Sequence, residues 1–246
     1  VIFSSPQSNP QQEPLEHLSR LIPDSLKENA SARKFITKLL AESSPDEEFA
    51  RVLSQSPAVL GYFFHFSPEG LSHLTPELRN QYFKDIKSSQ FSGFLKSQQD
   101  LDLSQLPFPN AYAVESNIAI FSKSAKSSGF ITFNIDNDGS IRRLPLLIRY
   151  HDENSKKDFY FPPLSLRLLE QYLEGTLLFR VGEYGMEEVI LDSKLPLTIP
   201  TNKIGELEVN FLGPRDTFPG FSLSDLLDDS KSSYLKDKIK GKIILV

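Results

Sequence analysis

The stretch GFITFNIDNDGSIRRLPLLIRY, Gly129 to Tyr150, decides how the rest of the chain is read. Apolar residues alternate on both sides of a polar centre: Ile131, Phe133 and Ile135 before it, Leu146, Ile148 and Tyr150 after it. Strict alternation is the pattern of a half-buried strand. The centre, Asp136-Asn137-Asp138-Gly139, has the chemistry of a turn, because Asp and Asn tolerate turn geometry and Gly takes positive φ without steric cost. The spacing predicts a β-hairpin over about 129–150 with a polar tip. Arg142 and Arg143 stand directly behind the two aspartates, and two roles are open to them. One arginine can pair with Asp136, Asp138 or Asp216 while the other faces water. Alternatively, the pair can grip a carboxylate or phosphate through their planar forks. Arg215, in Gly213-Pro214-Arg215-Asp216, has the same two readings.

Bulk composition narrows the classes around this stretch. The 246 residues are 39% hydrophobic and 11% aromatic, with 19 Phe and no Trp, enough for a Phe-rich core. The net charge of −5 gives no basic field for nucleic acid. Cysteine is absent, which excludes disulfides, Cys-ligated zinc and thiol catalysis. No apolar run approaches the ~18 residues of a membrane helix. The chain opens on the strand-like Val1-Ile2-Phe3 and stops inside the apolar Ile243–Val246. It reads as a single domain, 1–246, excised from a longer protein, with membrane segments expected just outside it.

Outward from the central stretch, helices and strands intersperse. Asp24 is a candidate helix cap before Leu26, Phe35, Ile36, Leu39 and Leu40. Ser44-Pro45-Asp46-Glu47 is a strong helix start, with Phe49, Val52 and Leu53 expected to face inward. Ala58 to Phe64 reads as a buried strand, and Thr75-Pro76-Glu77 begins a helix to about Lys87. Ser88 to Pro109 reads as surface loop. Ser116 or Asn117 is expected to cap a helix carrying Ile118, Ile120, Phe121 and Ala125. After the hairpin, His151 to Asp158 is a charged turn, and Pro162-Pro163 opens a helix closed by Gly175. Thr176–Val181 and Glu188–Leu191 are strands around the Gly182–Gly185 turn. Pro196–Thr201 is extended, Glu206–Leu212 alternates, and Ser222 or Ser224 starts a short helix. Ile243–Val246 is expected to be a buried strand. The sum is an α/β fold with a mixed β-sheet flanked by helices.

The search for chemistry finds little. Asn134, Asp136, Asp138 and Gly139 fall at positions 1, 3, 5 and 6 of a calcium-loop pattern, but the position of the bidentate Glu holds Pro145. The four histidines, His17, His65, His73 and His151, show no ligand spacing, and no metal is expected. No nucleophile elbow, P-loop or dinucleotide fingerprint is present, so no catalytic residue and no cofactor is assigned.

Several short motifs, in order, resemble the second type of CHASE domain (cyclases/histidine kinases associated sensory extracellular). At the centre are Gly129-Phe130, Asn134, Asp136, Asp138-Gly139, Ile141-Arg142-Arg143 and Pro145-Leu146. Val1-Ile2-Phe3-Ser4 is similar to the family's early strand, and Asp46 with Phe49-Ala50 and Leu53 to its following helix. Phe161-Pro162 to Leu169, Asn210-Phe211-Leu212-Gly213-Pro214 with Thr217-Phe218-Pro219, Ser224-Asp225-Leu226-Leu227, and Leu235 with Lys240–Ile243 extend the likeness to the end. Pro163 and the insertion-like His65–Pro109 stretch depart from the pattern.

The resemblance implies a sensory input domain of a bacterial transmembrane receptor, on the periplasmic or extracellular side. Its output would be a cytoplasmic nucleotide cyclase, or else a histidine or Ser/Thr kinase. It implies no enzyme in this segment, a small-molecule or protein signal, a membrane-anchored parent and a possible homodimer. No ligand contact transfers residue by residue; Arg142, Arg143 and Arg215 remain the ligand-binding candidates. A ligand-free dimerisation or structural module is the competing expectation. A hydrolase ranks last, because no nucleophile and base are seen together.

Overall fold

A computed structural model describes residues 3–5, 31, 34, 45–91, 93–214 and 217–246. The elements, in order, are α1 (Pro45–Gln55), β1 (Val59–His65), α2 (Pro76–Ile86), β2 (Phe94–Lys96), β3 (Asn110–Ala111), β4 (Ala113–Glu115), α3 (Ala119–Ser124) and β5 (Ser127–Phe130). There follow β6 (Arg143–Pro145), β7 (Ile148–Asp152), β8 (Lys157–Phe161), α4 (Leu164–Tyr172), β9 (Thr176–Gly182), β10 (Gly185–Asp192), β11 (Leu197–Pro200), β12 (Glu206–Glu208), α5 (Leu223–Leu227) and α6 (Asp229–Ile239). The expected mixed α/β class holds. The strands form four small sheets, in the orders β4-β1-β5, β3-β7-β8, β11-β10-β9-β2 and β12-β6. The expected helix after Asp24 lies outside the described residues, as do Val1, Ile2, Ser44, Arg215 and Asp216.

The hairpin predicted over 129–150 does not close. Its first arm, β5, runs parallel to β1, with Gly129 beside Gly61 and Phe130 beside Tyr62. The chain stays on that edge: the Ile131 amide donates to the Tyr62 carbonyl at 2.9 Å, and the Thr132 hydroxyl takes a bond from the Phe64 amide at 2.6 Å. On the other side, the Phe130 amide donates to the Pro162 carbonyl. Both edges of the arm are therefore occupied. The second arm divides at Pro145. Arg143–Pro145 pairs with β12, and Ile148–Asp152 pairs with β8. Alternation identified extended segments but not their partners, because a period of two carries no information about which edge a strand joins. Phe133 and Ile135, expected to face inward, are exposed.

The hairpin that does form is β7–β8, closed by the Glu153–Lys156 turn that the charged sequence marks. Every second residue of it faces one core, and the intervening residues face another. Ile148, Tyr150, Phe159 and Phe161 join Tyr62, Phe64, Phe83 and Phe130 in a first core, covered by α2. Tyr160 and Leu147 join Phe91, Phe108, Leu166, Phe179 and Val189 in a second, built on β9 and β10. A strand buried on both faces reads as continuous apolar sequence, as Phe159-Tyr160-Phe161 does. A third, small cluster of Ala50, Leu53, Leu60 and Phe121 seats α1, with Phe3 packed on Phe49 and Phe121 at ring separations of 5.2 Å each.

Local chemistry explains most element ends. Thr75 caps α2, its hydroxyl accepting from the Leu78 amide. Ser222 caps α5. Neither Ser116 nor Asn117 caps α3. Asn117 is buried and stitches the core instead: its amide donates to the Gly61 carbonyl at 2.8 Å and its oxygen accepts from the Phe3 amide at 2.9 Å. The left-handed residue after α4 is Glu174, at φ 50, not Gly175. The Ser88–Pro109 segment carries β2, which extends the second sheet beside β9, so it is not all loop. The Ile243–Val246 tail is neither strand nor buried; Val246 is 98% exposed. In α1, Val52 points outward.

Candidate functional site

The sequence points to the Asp136–Arg143 turn, which does form. The Gly139 amide donates to the Asp136 carbonyl at 2.8 Å, the Asp136 amide donates to the Ser140 carbonyl at 2.9 Å, and Gly139 takes φ +81. Arg142 braces this turn. Its guanidinium reaches Asp136 at 2.9 Å and Asp138 at 3.0 and 2.6 Å, the latter through two parallel bonds. The Arg142 bond, with help from the Ser140 amide, holds the Asp138 carboxyl down to about 2. The two carboxylates that a cation would need are thus already engaged by a guanidinium, and Asn134 is an exposed residue beside them. Among the described residues, no group of three or more His, Asp or Glu side chains is arranged to hold a metal.

Arg143 differs from its neighbour. It is exposed at the start of β6, and among the described residues its side chain makes no ion pair or hydrogen bond. With Arg142 and Ile135 to Asp138 it lines an open hollow at the protein surface. Only this arginine of the pair has its fork free for an incoming anion. Arg215 lies outside the described residues.

A second hollow, of about 240 Å³, was not anticipated from sequence. It is lined by Pro68, Gly70, Leu71, Ser72, Leu74, Arg79 and Tyr112. Three elements build it. Pro68 to Leu74 folds into successive tight turns, the Leu71 amide donating to Pro68 and the Leu74 amide to Leu71, with Gly70 at φ +74. Arg79 stands on the first turns of α2. Tyr112 sits between β3 and β4, fixed by its amide donating to the His65 carbonyl at 2.7 Å. The Arg79 guanidinium carbon lies 5.3 Å from the Tyr112 ring centroid, a cation–π stack. No sequence signal marked this site, since an isolated Arg in a helix and a Tyr between short strands carry no spacing pattern.

The surroundings are polar and closely packed. Glu115 meets His65 at 3.3 Å and His73 at 4.0 Å. Burial pushes the Tyr82 phenol up, with Glu115 and Asp85 adding to the rise. Burial also raises the Tyr150 phenol, Asp152 reinforcing it and the charge of Arg79 opposing it. On the opposite flank of the first core, the Tyr62 hydroxyl meets Ser89 at 3.0 Å, and Ser89 donates onward to the Ile86 carbonyl, so the Tyr62 hydroxyl is the donor to Ser89.

Comparison with protein families gives a match over the whole chain: the CHASE2 domain, residues 1–246. Comparison with curated proteins finds no match, and neither does comparison with solved structures.

Proposed function

Since the chain belongs to the CHASE2 domain family, a family of sensory extracellular domains in cyclase- and kinase-associated receptors, we propose that it is the signal-receiving domain of a membrane-anchored receptor. It lies on the periplasmic or extracellular side and controls a cytoplasmic nucleotide cyclase. The observation that carries this reading is the family match across residues 1–246. Signal binding shifts the domain between two arrangements, which requires different affinities for the two. No helix among the described residues is long and apolar enough to cross a membrane, so in this reading the anchor belongs to other parts of the receptor. The reading is tested by assaying membranes that carry the full-length gene product for cyclic nucleotide formation from ATP or GTP. Cyclase activity that depends on this domain is expected. Phosphotransfer to the receptor or a partner without any cyclic nucleotide would assign the output to a kinase.

A second reading is a module that homodimerises and signals through protein contacts alone. One observation favours it: Phe211, Leu212, Phe218, Leu223, Leu227 and Tyr234, all in the last fifth of the chain, are exposed. Sedimentation velocity separates the two readings. A dimer dissociated by Leu227→Asp supports the second, and a monomer at all concentrations contradicts it.

A further inference from the structure

We propose that the hollow beside α2 binds a small organic carboxylate, with the Arg79 guanidinium as its anchor and Pro68, Leu71, Leu74 and Tyr112 as the seat of its apolar body. The first observation is an orphaned cation. Among the described residues the Arg79 side chain makes no hydrogen bond or ion pair, and its Nε is fully buried without a partner. A buried donor left unsatisfied is costly, and more so when it is charged. Arg167 provides the internal contrast. Its Nε is buried and unpartnered too, but its terminal nitrogens donate to Glu170 at 2.6 Å and to the Ser89 and Gln90 carbonyls at 2.7 and 3.2 Å. Arg167 is spent on holding α4 to the segment after α2; Arg79 is held by the Tyr112 ring alone and lines a hollow.

The second observation is the character of the walls. Pro68, Leu71, Leu74 and Tyr112 are apolar surfaces, Ser72 supplies one hydroxyl, and Arg79 is the only ionised lining group. An apolar pocket with a few convergent polar groups is the usual form of a small-molecule site. Its volume of about 240 Å³ falls below the roughly 300–1,000 Å³ of sites for drug-sized ligands, which limits the occupant to a small molecule. A planar fork beside an aromatic face matches a carboxylate bidentately. The inference supplies a ligand class for the sensory reading and rests on it only for biological meaning; binding itself is read on purified protein.

The test titrates the purified chain with benzoate, butyrate, benzamide and inorganic phosphate. It follows the Arg79 Nε–Hε resonance by NMR and affinity by calorimetry. Benzoate and butyrate are expected to shift that resonance, with benzamide, which lacks the charge, at least about tenfold weaker. Arg79→Gln should weaken benzoate about 10- to 100-fold, Arg79→Lys should fall between, and Ser72→Phe should block the mouth. Arg143→Gln should leave affinity unchanged. The resonance measurement on unmodified protein keeps the test valid if Arg79→Gln fails to fold. An unmoved Arg79 resonance at millimolar benzoate overturns the proposal. So does equal binding of benzamide, phosphate binding as tight as benzoate, or a loss in Arg143→Gln instead of Arg79→Gln. Carboxylate binding without any change in receptor output would leave this site standing and count against the sensory reading alone.

Discussion

At the scale of single residues, the two adjacent arginines separate cleanly. Sequence alone treated Arg142 and Arg143 as a pair with two interchangeable fates. The turn geometry gives them different ones, because only Arg142 lies over the Asp136 and Asp138 carboxylates. This brace has a pH signature. The folded Asp138 value of about 2 lies below the ordinary value near 3.9 of an unfolded chain. Its contribution is therefore complete above the ordinary value and is lost as pH falls through about 2. A carbon-13 titration of the Asp138 carboxyl should show that low midpoint, and Arg142→Gln should return it toward the usual carboxylate range. Because the brace is solvent-exposed, neither Arg142→Gln nor Arg143→Gln should unfold the protein; a collapse of the melting transition in either would contradict this. Asn117 is the opposite case. Its sequence reading as a helix cap missed its burial, and Asn117→Ala strands the Gly61 carbonyl and the Phe3 amide. Urea denaturation should show a loss of about 1–3 kcal/mol.

At the scale of elements, the helices were legible and the strand partners were not. Pro76 and Thr75 mark the start of α2, Pro45 begins α1, and Pro163 precedes α4, since cap and proline chemistry is local. The β9–β10 hairpin was legible for the same reason: its Gly182–Gly185 turn sits between two matched apolar runs. The Gly129–Tyr150 stretch was misread because its two arms are recruited by distant strands, β1 and β8, across sequence separations that no local pattern records. Gly129 shows why that recruitment is specific. A Cβ there would lie 2.6 Å from the Leu164 amide nitrogen and 2.7 Å from its Cα, both backbone atoms at the start of α4. Backbone cannot step aside as a flexible side chain can. Gly129→Ala should therefore cost about 1–3 kcal/mol by denaturant titration, whereas Gly220→Ala, which meets nothing within 4 Å, should cost far less.

At the scale of the whole molecule, the β7–β8 hairpin is the wall shared by two cores, and its Phe159-Tyr160-Phe161 run supplies side chains to both. Phe161 is fully buried and packs on Tyr62 and Phe64. Phe161→Ala should cost about 3–5 kcal/mol, read as a single lowered transition. The mixed α/β class was visible in the interspersed patterns, and the family likeness in motifs spread along the chain. The Arg79 hollow was not, because it is assembled from a turn, a helix face and a residue between strands that come together only in three dimensions. The central claim is that this domain receives its signal outside the cytoplasmic membrane. The chain has no cysteine, so one introduced at exposed Lys194 reports its own surroundings. Cells expressing the full-length receptor with Lys194→Cys are treated with a membrane-impermeant maleimide, beside cells expressing the unsubstituted receptor. The account predicts labelling of the substituted receptor in intact cells; labelling only after the cells are broken open would contradict it.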